Sequence, residues 1–230
     1  MVPSPREDVV ANLARVRRGI AAACVRSGRD PTGVRLVAAT KTVPPEVVRF
    51  ASEAGVLEFG ENYVQELRAK RPAAPDAVWH FIGTLQSHTA HHVAELADVV
   101  QGLIPGKAAL RLARRAAERG RQIPVLIEVD STGERTGVSP EECEAFAGEV
   151  AEMEGVELAG LMTLPPMPES PEDSRPYFRR LRELLTRIGR IHPAAVELSM
   201  GMSIDYEVAV EEGATMVRIG TALFGERPPA

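Results

Sequence analysis

Arg35-Leu36-Val37-Ala38-Ala39-Thr40-Lys41-Thr42-Val43-Pro44-Pro45 is the stretch on which the fold turns. From Arg35 to Thr40 it is a continuous apolar run and not an alternating one, which predicts a strand buried on both faces, and the two prolines stop it. A lysine stands directly at its end. Lys41 is one of three lysines in a chain otherwise made basic by arginine. A solvated cation is served equally well by arginine, whereas a lysine at a core edge can lose its proton and act as an amine nucleophile. The plain alternative is a lysine that snorkels from a strand end to the surface.

Outward from this stretch the pattern repeats. Apolar runs at Leu57 to Gly60, Val78 to Gly83, Val99 to Leu103, Val125 to Val129, Leu158 to Met162, Val196 to Met200 and Met216 to Gly220 bring the strands to eight. Helical patterns separate them, and an opening amphipathic helix carries Val9, Leu13, Val16, Ile20 and Cys24 on one stripe. Ser139-Pro140-Glu141-Glu142 and Ser170-Pro171-Glu172-Asp173 mark helix starts with a cap, an early proline and acids. Strands buried on both faces and joined by helices predict an α/β fold, a (β/α)8 TIM barrel with an extra N-terminal helix. A doubly wound sheet is the competitor, but its Gly-rich turn after the first strand is missing. No linker divides residues 1–230, so one barrel domain is expected, with Leu164-Pro165-Pro166-Met167-Pro168 as a rigid loop.

Composition narrows the function. Aromatic residues make up 4% and the net charge is -5, which argues against nucleic acid while leaving room for a local cationic pocket. Cys24 and Cys143 lack zinc or redox spacing, so a reduced, cytoplasmic protein is expected. Met1-Val2-Pro3-Ser4-Pro5-Arg6-Glu7-Asp8 has no apolar signal core, and no run approaches the roughly 18 apolar residues of a membrane span. His88, His91 and His92 lack an acidic third ligand and read as an exposed helix face, so no metal is expected.

In a barrel, polar residues beyond the strand ends gather at the C-terminal rim, where such folds build their sites. Lys41, Glu61, Asn62, His80, Gln86, Ser87, His88, Asp130, Thr163 and Ser199 to Ser203 are candidates, each also explicable as a cap or turn. The loops after strands seven and eight are the usual phosphate site. Ser203 opens a helical stretch, and Gly220 and Thr221 offer amides and a hydroxyl opposite it. Arg218 stands inside an apolar run, either as one half of a buried ion pair or as a donor to a heteroaromatic ring nitrogen. A reactive lysine, a phosphate cradle and a ring-nitrogen donor together describe pyridoxal 5′-phosphate (PLP) held as a Schiff base.

At these residues the chain resembles the pyridoxal phosphate homeostasis protein family, whose barrel is similar to the N-terminal domain of alanine racemase. The resemblance is carried by Leu36 to Thr42, Phe59-Gly60-Glu61-Asn62-Tyr63-Val64-Gln65-Glu66, Trp79 to Gly83, Gly160-Leu161-Met162, Leu198 to Ser203 and Val217 to Gly225. It implies that Lys41 carries the Schiff base, that Ser203, Gly220 and Thr221 bind the phosphate, and that Arg218 meets the ring nitrogen. Asn62, His80 and Met200 fall where the cofactor is expected to be lined. The family binds PLP and keeps its level and delivery in order without an established turnover. PLP-dependent client enzymes are the implied partners, with a monomer expected and a dimer as the alternative.

The chain departs from the family pattern where Ser87-His88-Thr89 follows Leu85-Gln86 in place of an Asn-Lys stretch, and where Arg135 replaces a common lysine. A second rim lysine is therefore not expected, Lys70 and Lys107 standing elsewhere. An arginine partner keeps the pyridine nitrogen unprotonated and weakens the ring as an electron sink, which favours a binding protein over an enzyme. A racemase reading needs a second acid/base, from Tyr63, Tyr206 or a partner subunit, because the chain ends a few residues past strand eight. A class I aldolase without cofactor is the third reading.

Overall fold

Strands that are apolar on both faces need helices outside and one another inside. The computed structural model, which describes residues 6–226, supplies both. Eight strands, β1 Arg35–Ala39, β2 Glu58–Glu61, β3 Val78–Phe81, β4 Val99–Leu103, β5 Ile123–Val129, β6 Val156–Thr163, β7 Glu197–Ser199 and β8 Met216–Ile219, form a closed parallel barrel in sequence order. β8 closes on β1 with Val37 beside Arg218. The expected runs all become strands: β4 matches at both ends, and no end of the others differs by more than two residues. Met1 to Pro5, on which much of the reading of the N-terminus rests, lie outside the described residues.

The helices are α1 Arg6–Ser27, α2 Pro45–Glu53, α3 Val64–Lys70, α4 Ala90–Leu96, α5 Lys107–Glu118, α6 Cys143–Ala151, α7 Arg175–Ile188, α8 Tyr206–Glu211 and α9 Thr221–Phe224. The stripe expected on α1 is buried at all five positions. It lays α1 across the outside of the barrel's closing end: Asn12 Nδ2 donates to Leu223 O at 3.0 Å, and Arg29 donates to Val210 O and Ala214 O. No described helix is long and apolar enough to cross a membrane. Cys24 and Cys143 are buried free thiols, and burial pushes Cys143 up to about 12, so its thiolate is scarce at neutral pH.

Two cores result from strand alternation. Outward-facing residues such as Phe59, Trp79 and Phe81 pack under the helices, with the Phe59 and Trp79 rings stacked at 5.1 Å. Each such side chain contributes about 1.5–3 kcal/mol by leaving water. Inward-facing Val37, Val99, Leu126, Met162 and Met216 form a second, smaller cluster on the barrel axis. Other inward positions are polar, among them His80, Gln101, Ser199 and Arg218, all buried.

Candidate functional site

At the C-terminal rim the loops enclose a cleft of about 600 Å³. Lys41, Asn62, Ser203, Arg218, Gly220 and Thr221 all line it, so six of the eight expected binding residues meet around one space. Ile82, Met162, Leu164 and Met167 supply an apolar wall that sequence reasoning did not assign. Lys41 is an exposed residue at this space, two residues past the end of β1.

The cradle opposite Lys41 is joined across two loops. Ser203 Oγ accepts from Ala222 N at 3.0 Å, which ties the loop after β7 to the start of α9. Ser203 lies in a turn three residues before α8 and not at its first residue, as had been expected, because Asp205 takes the capping place. The buried Asp205 carboxylate accepts from Met202 N at 2.7 Å and from Ser174 Oγ at 2.7 Å, fixing that turn from below. Gly201 has a φ of 91°, and its carbonyl accepts from Arg218 N at 3.0 Å, so the β7 loop and β8 are also bonded along their backbones.

Arg218 is 5% exposed. Burial lowers its pKa to about 10, against the pull of Glu128 and Asp205, so the guanidinium stays charged at neutral pH. It donates from Nη2 to Thr163 O at 2.8 Å and from Nη1 to Ser199 Oγ at 2.5 Å. A guanidinium has five N–H donors, and these bonds take two of them. Burial also pushes the Glu128 carboxyl up, while Arg218 and Arg135 draw it down.

Two of the expected lining residues are not at the cleft, His80 because of its depth in the barrel and Met200 because of strand alternation. His80 points along the barrel axis below it, fully buried, with Nε2 2.9 Å from Glu58 Oε2 and Nδ1 2.9 Å from Gln101 Nε2. Gln101 Oε1 in turn accepts from Ser199 Oγ at 2.5 Å. A directed chain therefore runs from Arg218 through Ser199, Gln101 and His80 to the Glu58 carboxylate, with His80 donating from Nε2. Met200 alternates outward from Ser199 and packs in the helix-side core. It is fully buried there.

Other rim candidates serve the scaffold. Glu61 faces the helices and pairs with Lys70 at 2.6 Å. Asp130 caps its own loop by accepting from Thr132 N and Arg135 N at 2.8 Å. Thr163 Oγ1 donates to Val129 O, and Gln86 O accepts from Thr89 N ahead of α4. Ser87 O accepts from Arg111. Arg135 donates to Leu164 O and Pro165 O and so steadies the loop after β6. Tyr206 packs toward α1, where a Cβ on Gly19 would lie 2.1 Å from its hydroxyl, and neither it nor Tyr63 is among the cleft-lining residues.

Residues 12–228 match the family model described as alanine racemase, N-terminal domain. The chain is 46% identical over 220 residues to the pyridoxal phosphate homeostasis protein of Aquifex aeolicus, covering 94% of this chain and 96% of that one. It is 38% identical over 229 residues to the protein of the same name from Escherichia coli, covering 96% and 97%. Among solved structures it is similar to PipY of Synechococcus elongatus with PLP bound, at a TM-score of 0.84 and 33% identity over 94% of this chain and all of that one. Alanine racemase of Clostridium difficile shares the fold, with a TM-score of 0.76 at 15% identity over 97% of this chain and 57% of that one.

Proposed function

The chain belongs to the pyridoxal phosphate homeostasis protein family, and on that premise we propose that it holds PLP reversibly at the barrel rim through Lys41 and takes part in PLP homeostasis. The observation that carries this reading is the convergence of Lys41, Arg218, Ser203 and Thr221 on one cleft. The donor set fits the group: an amine for an aldehyde, hydroxyls and a short helix start for a phosphate, and a buried cation for a ring nitrogen. When bound, PLP supplies an aldehyde that an amine captures and a ring that withdraws electrons.

The remaining chemistry belongs to the protein. Ser203 and Thr221 hold the phosphate end, with Gly220 letting the backbone come close. Arg218 stays protonated and donates, so it leaves the ring nitrogen without a proton and blunts electron withdrawal. Asn62 flanks the same space from just past the end of β2. Among the described residues lining the cleft there is no tyrosine to face Lys41 as a second acid/base. Both features support a carrier more than a racemase. PLP-dependent client enzymes are the proposed recipients, reached over the exposed Lys41 side of the rim.

The test is spectroscopic. Protein incubated with PLP should gain the yellow absorbance of a Schiff base, borohydride should fix it on the peptide containing Lys41, and Lys41→Ala should lose the band with unchanged far-ultraviolet circular dichroism. A colourless wild type, or label on another lysine, sinks the proposal. Wild-type exchange of solvent deuterium into the α-carbon of a free amino acid, lost in Lys41→Ala, would restore the racemase reading.

A further inference from the structure

The cleft makes no use of the most fully engaged lysine of the chain. Lys70 ends α3, is 4% exposed, and donates to Thr40 O at 2.6 Å, Glu61 Oε1 at 2.6 Å and Glu66 Oε2 at 2.5 Å. Three N–H donors meet three oxygens, so the ammonium is saturated. Two of those oxygens lead to Lys41. Thr40 O also accepts from Val43 N at 2.8 Å, closing a four-residue turn with Lys41 and Thr42 at its centre. Glu66 Oε2 also accepts from Thr42 N at 2.9 Å.

That turn is strained. Thr42 has a φ of 63°, the one positive φ outside glycine among the described residues. A turn whose third residue is left-handed is suited to glycine or asparagine, and a β-branched residue there is a steric outlier. Such a residue persists only where its surroundings over-determine it. Here they do, because α3 grips the turn at both the carbonyl before Lys41 and the amide after it. Glu61 braces the same point by accepting from Thr40 Oγ1 at 2.6 Å.

We propose that Lys70 and Glu66 are positioning residues: they latch the Thr40–Val43 turn in its left-handed form and thereby aim the Lys41 side chain into the cleft. The inference rests on the role assigned to Lys41 above. Releasing either contact lets Thr42 return to negative φ, rotates the peptide between Lys41 and Thr42, and swings the lysine off the rim. Glycine at position 42 removes the need for the latch, since it takes positive φ without a Cβ clash.

Two readouts test this. Amide hydrogen exchange at Thr42 in PLP-free protein reads the latch, and the rate at which added PLP becomes borohydride-fixed on Lys41 reads its consequence. In Glu66→Ala the Thr42 amide should exchange about tenfold faster and fixation should slow by about as much, the scale of one released backbone outlier. Lys70→Met should do the same, and adding Thr42→Gly to either variant should return fixation to within about twofold of wild type. Glu66 is 29% exposed at its side chain, so Glu66→Ala carries the test should Lys70→Met fail to fold. Unchanged Thr42 exchange in Glu66→Ala, or slow fixation that glycine does not rescue, overturns the latch. A wild type that fixes no PLP overturns the cofactor reading instead, while the exchange arm still decides the latch.

Discussion

Arg218 is held in the cleft floor by groups scattered along the chain. Ser199 is 19 residues away and Gln101 a further 98 from Ser199, and each bond in the series to Glu58 has one donor and one acceptor. Replacing His80 with leucine removes the acceptor for Gln101 and the donor to Glu58 together, leaving buried polar atoms unpaired. His80→Leu should therefore cost about 1–3 kcal/mol. Urea titration should show a lower midpoint at unchanged slope, and PLP should bind more weakly because Ser199 no longer holds Arg218 steady. An unchanged midpoint would mean that the chain is ornamental. Arg218 was legible in sequence, as a charge inside an apolar run. The chain below it was not, since nothing in Val99 to Leu103 says which residue Gln101 will meet. The depth of His80 is hidden for the same reason: alternation tells that it points inward, but not how far below the cleft it lies.

At the scale of elements, the strands were legible because each is a continuous apolar run, yet two starts were placed late. β5 begins at Ile123, before Pro124, a residue that lacks a ladder donor and discourages a strand assignment. Pro124 keeps its place in the β5–β6 register, which shifts only beyond it, between Val125 and Leu126, where β6 takes in Ala159 as an extra residue. β6 correspondingly begins at Val156, with Glu157 beside Pro124. The loops were harder, because their shape depends on residues that touch them from elsewhere. In the sequence Gly201 is one of several rim residues, and its backbone explains why a side chain fails there. With φ at 91°, a Cβ would sit 2.5 Å from Ala209 Cβ and 3.0 Å from Tyr206 Cα. Gly201→Ala should destabilise by about 1–3 kcal/mol through backbone strain and overpacking. It should also push α8 from the cradle, so that the midpoint of thermal unfolding and phosphate-end affinity fall together. A variant that melts like wild type would show that the β7 loop has slack the packing does not reveal.

Across the whole molecule, the closing end of the barrel is tied from outside by arginines, a feature that composition hinted at without placing. Arg175 donates to Glu172, Glu211 and Glu212, bringing together the approach to α7 and the end of α8, while Arg26 of α1 reaches Glu207 and Glu211. Arg175 holds Glu172 below the usual carboxylate range, and it does the same for Glu211 with help from Arg26. The sign of the linkage follows: these carboxylates bind protons less readily when folded, so their contribution is present above the unfolded value of about 4.3. It is lost as pH falls through the lower folded value. Arg175→Met should accordingly destabilise at pH 7, and the gap to wild type should be smaller at pH 3, below the unfolded value, where the linked stabilisation is being lost. Urea midpoints for both proteins at the two pH values measure it. High salt should narrow the gap at pH 7 as well, because the pairs are partly exposed and screened. A gap that persists unchanged at pH 3 would assign the stabilisation to packing of the arginine stem against α7 and α8, leaving barrel closure independent of charge.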